Sequence, residues 1–380
     1  MHLFARFAAA LALFAFFAPA LPAPSPVPPP PKPAARSWIL LDEQSGRVIT
    51  SHNADEQVEP ASLTKLMTAY AVFHAIREGK LGLDTEVPIS ERAWRAEGSR
   101  TFVEVGTRVR VEDLLQGMIV QSGNDASIAL AEAVAGTEEA FASLMNHYAE
   151  QLGMGSSHFE NSTGLPGDRH LVSARDMSLL ARAIIDEFPD YYRWYSQREF
   201  TWNNITQPNR NGLLDRDPSV DGMKTGHTDA AGYCLVSSAH RDGMRLIAVV
   251  MGTDGFKARE DASLALLNYG FGFFETKRLY PRGAELARPR VYFADGGEAA
   301  IGLRHEFYVT VPRGRAGDVT VSVALDPALE APLAADQPVG KLRASLDGRL
   351  VGIRDLYPLA DIKEGGFFRR AWDSVMQWFA

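Results

Sequence analysis

The sequence predicts an α+β chain of two folded domains and a short amphipathic tail, on three observations. Helical periodicity dominates residues 61–188, a strand pair joined by Arg241-Asp242-Gly243 follows, and beyond residue 283 only short alternating runs remain until the C-terminus. The 380 residues, 46% hydrophobic and 23% charged, have globular composition and can fill two cores. A formal net charge of −8 leaves no basic footprint for nucleic acid. A single cysteine, Cys234, excludes an intramolecular disulfide and a multi-cysteine metal centre.

In chain order, residues 1–20 read as an export signal. Arg6 opens it, an apolar run extends from Phe7 to Phe17, and Ala18-Pro19-Ala20 supplies an A-x-A cleavage site. That run is about 11 residues, short of the ~20 that span a bilayer, so cleavage and an extracytoplasmic mature protein are expected. Residues 21–36 form a proline-rich spacer, with eight prolines from Pro22 to Pro33, expected to be extended polyproline II.

Ser37–Leu41 and Arg47–Thr50 flank Gln44-Ser45-Gly46 as an opening hairpin. In Ala61–Glu78 the residues Leu63, Leu66, Met67, Tyr70, Phe73 and Ile76 fall near one helical face. Further helices are expected over Val111–Val120, Asp125–Ala135, Glu138–Leu152 and Ala174–Phe188. Tyr233–Ala239 and Arg245–Gly252 make the strand pair, and Asp261–Phe274 closes a first domain of residues 37–283. The runs Val291–Phe293, Phe307–Val311, Val319–Val323, Leu342–Leu346 and Leu350–Arg354 predict a small all-β domain over residues 284–358.

Residues 362–380 carry the tail. At 100° per residue, Phe367, Phe368, Ala371, Trp372, Val375, Met376, Trp378 and Phe379 occupy half of the wheel, opposite Arg369, Arg370, Asp373, Ser374 and Gln377. The helix from Phe367 rises roughly 22 Å, short of a ~30 Å hydrocarbon core, so it is expected to lie on a membrane surface without crossing. Packing on the protein's own surface is the alternative; two tryptophans and three phenylalanines favour lipid.

Three short constellations could carry chemistry. Ser62-Leu63-Thr64-Lys65 sets a hydroxyl and an amine three residues apart on one helical face, roughly 5–6 Å apart at Cβ. Lys65 is the only formally charged residue from Pro60 to Ile76, so desolvation should lower its pKa and make it a base. A capping serine with a lysine reaching for solvent would give the same pattern. Ser122-Gly123-Asn124 presents a hydroxyl and a carboxamide, suited to relaying a proton and anchoring a peptide, or else makes an ordinary turn. Ser51-His52-Asn53 has the same spelling and is set aside, because it precedes Ser62 at a hairpin end. Lys224-Thr225-Gly226 offers a cation and a hydroxyl to a substrate carboxylate, with Gly226 permitting close approach; a basic residue at a strand edge is the alternative.

S-x-x-K, S-x-N about 60 residues later and K-T-G about 100 further on form the motif set of class A β-lactamases and penicillin-binding proteins. The chain resembles a low-molecular-mass penicillin-binding protein of the serine-type D-alanyl-D-alanine carboxypeptidase family. The resemblance includes Pro60–Thr68, Ser122–Ala126, Asn209–Leu214 and Val220–Thr228, and runs from about Ser37 to the C-terminus. It implies a serine β-lactamase/transpeptidase-like antiparallel sheet flanked by helices with an all-helical lobe, then a β-sandwich.

It also implies roles. Ser62 is the nucleophile and Lys65 its general base, Ser122 and Lys224 relay protons, and Asn124 holds the acyl-donor amide. The backbone N–H groups of Ser62 and His227 form an oxyanion hole. Thr225, beside Gly226, binds the terminal carboxylate with Arg210 and Arg259, either of which could instead be a structural salt-bridge partner. The implied substrate is the peptidoglycan pentapeptide stem, which loses its terminal D-alanine through an acyl-enzyme, with β-lactams as covalent inhibitors. No cofactor or metal is implied, and the location is periplasmic, on the outer face of the inner membrane.

Alternatives share the fold. A serine β-lactamase needs an added glutamate, and Glu160-Asn161 does not spell E-x-x-x-N. An endopeptidase or transpeptidase differs only in the bond cleaved or the acyl acceptor. A non-enzymatic wall-binding module leaves the lone Lys65 beside Ser62 without a reason. No G-x-S-x-G, H-E-x-x-H or P-loop is present. His52, His74, His147, His158, His170, His240 and His305 read as surface or core residues.

Overall fold

The computed structural model describes residues 27–377; the expected export signal, the start of the proline-rich segment, Trp378 and Phe379 lie outside the described residues. Ser37–Asp42 is buried along its whole length because it has a neighbour on each side, Val48–His52 and Met244–Thr253. Across this five-stranded sheet the order is Val48–His52, Ser37–Asp42, Met244–Thr253, Gly232–Arg241, Val220–Thr228, with every pair antiparallel. The strand bearing Lys224-Thr225-Gly226 is therefore an edge.

Both faces of the sheet are covered, which is why its inner strands are apolar at successive positions instead of alternating with polar ones. Ile39, Leu41, Val236, Ile247 and Val249 face the helical lobe, while Leu40, Leu235, Leu246, Ala248 and Val250 face Leu266 and Leu267 of helix Phe256–Phe273. Helix Thr64–Arg77 is buried from Thr64 to Ala75, a central helix of the lobe and not a one-faced surface helix. Helix Phe256–Phe273 starts five residues before the expected Asp261. The expected helix Val111–Val120 is α only to Gln116; Gly117–Gln121 widens into a π turn, and Ser122 ends it at φ 69°, in the left-handed region. Residues 27–36 are laid on the domain: Val27 and Ala35 pack on the outer core, and Tyr269 Oη donates to Pro28 O at 3.0 Å.

The chain leaves helix Phe256–Phe273 directly into strand Phe274–Tyr280, which pairs with Phe307–Pro312. The facing five-stranded sheet runs Glu285–Ala287, Ile301–Gly302, Arg349–Pro358, Gly340–Leu346, Thr320–Leu325, all antiparallel. Gly352 of that sheet lets Phe307 and Val309 approach closely; a Cβ there would stand 3.0 Å from each. Val291–Phe293 is no strand; Tyr292 makes one isolated bridge, to Glu330. Buried Asp42 ties the halves together, accepting from Ser45 Oγ and Thr276 Oγ1, both at 2.7 Å.

The tail forms helix Phe367–Gln377. No helix among the described residues is long and apolar enough to cross a membrane.

Candidate active site

Ser62 lies in a 3₁₀ turn, Ala61–Leu63, that leads into helix Thr64–Arg77, so Lys65 follows it by three residues around the first turn. Lys65 Nζ stands 3.0 Å from Ser62 Oγ. It is also 2.6 Å from Asn124 Oδ1 and 2.5 Å from Thr163 O. A neutral amine has two N–H donors and one lone pair. Two of these neighbours are acceptors only, and they take the two hydrogens. The lone pair is left facing the one neighbour that can donate, the Ser62 hydroxyl. Burial pushes the Lys65 pKa down to about 7, with Asp125 opposing that shift and Arg210 adding to it. The amine is thus half unprotonated at neutral pH and aimed at a hydroxyl, the condition for general-base activation of a serine.

The other motifs converge on this pair. Asn124 Nδ2 donates to Glu97 O at 2.6 Å, which fixes Oδ1 toward Lys65 and leaves one N–H of the carboxamide uncommitted by that bond. Ser122 Oγ is buried and has no hydrogen-bond partner among the described residues. An unpaired buried hydroxyl is destabilising, and one on a left-handed non-glycine residue more so. Lys224 is buried with Nζ on Thr225 O at 3.1 Å; burial, then repulsion from Lys65, Arg210 and Arg259, holds its pKa well below the usual lysine value. Gly226 brings the edge strand close to the serine turn: a Cβ there would stand 2.9 Å from Pro60 O. His227 is exposed and stacks on Tyr233, ring centroids 4.0 Å apart.

Ser62, Ser122, Arg210, Thr225, Gly226, His227 and Arg259 line one cleft of about 150 Å³, with Ser99 and Phe256. Larger hollows lie elsewhere, such as one of about 770 Å³ around Glu43, Arg182 and Arg354. Neither arginine in question forms an ion pair among the described residues. Arg210 Nε donates to Gln121 O at 3.1 Å, and buried Arg259 donates through Nη1 to Gly226 O at 3.2 Å while lying against the Phe256 ring.

Three contributors fall outside the S-x-x-K, S-x-N and K-T-G triplets. The Thr163 carbonyl is a backbone group and has no residue signature. Asp125 is fully buried, accepts from Thr101 N, Phe102 N and Val103 N, and so ties the segment that carries Ser99 to the Ser122 loop. His170 is buried against Thr64, its Nε2 2.9 Å from Thr64 Oγ1, and burial pushes its pKa down to about 4. Glu160 accepts from Arg169 N at 3.1 Å and is not among the residues lining the Ser62 cleft.

The family model described as D-alanyl-D-alanine carboxypeptidase matches residues 25–255, and that of the penicillin-binding protein 5 C-terminal domain matches 274–364. The chain is 44% identical over 353 residues to D-alanyl-D-alanine carboxypeptidase DacA of Escherichia coli K12, covering 91% of this chain and 88% of that one. It is 34% identical to DacF of Bacillus subtilis, covering 88% and 87% respectively. Among solved structures it is similar to penicillin binding protein 5 from Haemophilus influenzae, with TM-score 0.83 and 42% identity over 88% of this chain and 99% of that one.

Proposed function

The chain belongs to the D-alanyl-D-alanine carboxypeptidase family and is a serine-type hydrolase, and on that premise we propose that it trims the terminal D-alanine from peptidoglycan pentapeptide stems. One observation carries the mechanism: the buried Lys65 amine stands 3.0 Å from Ser62 Oγ while two acceptor-only neighbours, Asn124 Oδ1 and Thr163 O, are placed to take its hydrogens.

Lys65 takes the Ser62 proton as Oγ attacks the carbonyl carbon of the penultimate D-alanine. The backbone N–H groups of Ser62 and His227 stabilise the oxyanion. Ser122 and Lys224 pass the proton to the departing amine, and free D-alanine leaves an ester on Ser62. Water then hydrolyses that ester with the same base. Asn124 serves twice in this reading, orienting Lys65 through Oδ1 and holding the acyl-donor carbonyl through its second N–H. Thr225 and Arg259 grip the terminal carboxylate; the bond from Arg259 to Gly226 O supports that choice over Arg210. A β-lactam acylates Ser62 in the same way, but its leaving amine stays tethered to the acyl group. The bond of Glu160 to Arg169 N, outside the Ser62 cleft, favours this reading over a β-lactamase.

Export by residues 1–20, a periplasmic location and attachment to the membrane surface through residues 362–380 complete the proposal. The exposure of Phe367, Phe368 and Trp372 supports the last. Residues 37–283 would carry the chemistry, and residues 284–358 would stand it off the bilayer.

Purified protein incubated with a labelled penicillin and with pentapeptide tests the activity. An adduct mapped to Ser62 and release of D-alanine are expected, both lost in Ser62→Ala. An adduct on another serine, or cleavage that survives Ser62→Ala, would overturn the mechanism.

A further inference from the structure

Lys65 Nζ finds Thr163 O across 98 residues of chain, so something must hold that carbonyl in place. From inside the loop, Asn161 Oδ1 accepts from Thr163 N at 3.1 Å and from Gly164 N at 2.7 Å. From outside, Glu138 Oε1 accepts from Ser162 N at 3.0 Å and from Ser162 Oγ at 2.6 Å. Ser162 O in turn accepts from Thr68 Oγ1 at 2.7 Å, three residues beyond Lys65 on the same helix. Glu138 is only 5% exposed, and its Oε2 pairs with Arg92 at 2.6 Å. It is the first residue of helix Glu138–Gln151, yet the cap of that helix is Thr137, whose side chain accepts from Ala140 N. A buried carboxylate at this position is therefore not explained by capping, and both of its oxygens point away to other elements.

We propose that Glu138 is a positioning residue for acylation: its carboxylate fixes Ser162 so that the adjoining Thr163 carbonyl is aimed at Lys65, and its charge helps set how readily Lys65 releases a proton. The proposal rests on Lys65 being the base. If the Thr163 carbonyl withdraws, the amine loses one of the two acceptors that orient it, and its lone pair is no longer confined to Ser62. The charges facing Lys65 come from several elements. Asp125 and Glu138 favour the ammonium form, whereas Arg210 and Lys224 disfavour it. His170 also faces this helix, beside Thr64, and is neutral near pH 7. Asp125 is the stronger of the two carboxylates, so Glu138 adjusts the balance without dominating it.

The test follows second-order acylation by a fluorescent penicillin from about pH 5 to 9, in the full chain and in Glu138→Gln and Glu138→Ala. Glutamine keeps an acceptor for Ser162 but loses the charge. Its acid limb is expected about half a pH unit lower than that of the parent, with a plateau within a few-fold. Alanine loses anchor and charge together, and its plateau is expected to fall about tenfold or more. A purely structural glutamate would lower the melting temperature and scale the whole profile without moving its midpoint. A Glu138→Gln midpoint equal to the parent's overturns the proposal, and this variant alone decides if Glu138→Ala does not fold. A parent enzyme that is never acylated on Ser62 would instead overturn the proposed function.

Discussion

Asn124 Oδ1 lies 2.6 Å from Lys65 Nζ, nearer than the 3.0 Å between that nitrogen and Ser62 Oγ. The contact is with a neutral carboxamide, which orients the amine without stabilising its charged form as a carboxylate would. Asn124→Asp changes almost nothing in shape but sets a negative charge against the nitrogen, favouring the ammonium form. Acylation in that variant should have its midpoint at least about one pH unit above the parent's, with a roughly tenfold loss at neutral pH. The pH profile of penicillin labelling measures it; an unmoved midpoint would mean that Lys65 does not act as the base.

The depressed Lys65 pKa also has a stability signature. The folded value is about 7 and the ordinary value 10.5, so between those limits the unfolded chain binds more protons than the native one. Stability therefore rises with pH through that window. The destabilisation is fully present below about pH 7 and fades toward 10.5. Urea unfolding of the parent and of Lys65→Met at several pH values should show the difference moving in the parent's favour as pH rises from 7 to 10. A constant difference would contradict a buried, proton-poor lysine.

Gly226 and Gly164 both border the serine turn, and they should fail in different ways. A Cβ on Gly226 would meet Pro60 O at 2.9 Å and Ala61 Cβ at 3.2 Å, so the edge strand must give by a few tenths of an ångström. Gly226→Ala should fold and lose about ten- to hundredfold in acylation, since the strand carries Lys224 and Thr225. Gly164 sits at φ 87°, and a Cβ there would fall inside the Ala61 carbonyl. Gly164→Ala should not yield folded protein at all. Circular dichroism and labelling together separate the two outcomes.

How far these features were legible depends on where their determinants lie. Ser62 and Lys65 share one helical turn, so spacing alone brings them together. Periodicity gave helix Thr64–Arg77 one apolar face, whereas it is buried from Thr64 to Ala75, because a helix surrounded by the rest of the lobe buries its small and polar positions too. The Thr163 carbonyl was not legible, because a backbone acceptor distant in sequence leaves no pattern. Strand Phe274–Tyr280 was hidden because Glu275, Lys277 and Arg278 interrupt its apolar residues and no turn separates it from the preceding helix. The start of helix Phe256–Phe273 was missed for a related reason: Lys257, Arg259 and Glu260 put three charges into its first turns and mask the apolar pattern, although Arg259 is buried against Gly226 O and Cys234 O. On the tail, the wheel placed Asp373 on the wet side, whereas its actual partner is a different domain element that no periodicity can reveal.

That partner fixes how the tail presents itself. Asp373 is fully buried and accepts from Arg290 Nη2 at 2.6 Å and from Phe293 N at 2.8 Å, so the helix docks on the β-domain through its polar side. Phe367, Phe368 and Trp372 are left 72%, 88% and 63% exposed. A helix packed for its own stability would bury those rings, since each gains about 1.5–3 kcal/mol on leaving water. Turned outward on one side, they suit the headgroup boundary of a bilayer, where aromatic rings are favoured. The triple variant Phe367→Ser, Phe368→Ser, Trp372→Ser should lose binding to phosphatidylglycerol-containing vesicles by about a hundredfold, roughly 2.7 kcal/mol. Cleavage of soluble pentapeptide should stay unchanged, because Ser62 and its partners belong to the other domain. Asp373→Ala separates docking from membrane contact: it releases the helix from Arg290 but keeps the rings, so vesicle binding should persist. If the triple variant still sediments with vesicles, the attachment lies elsewhere in the chain, and the outward rings serve another surface.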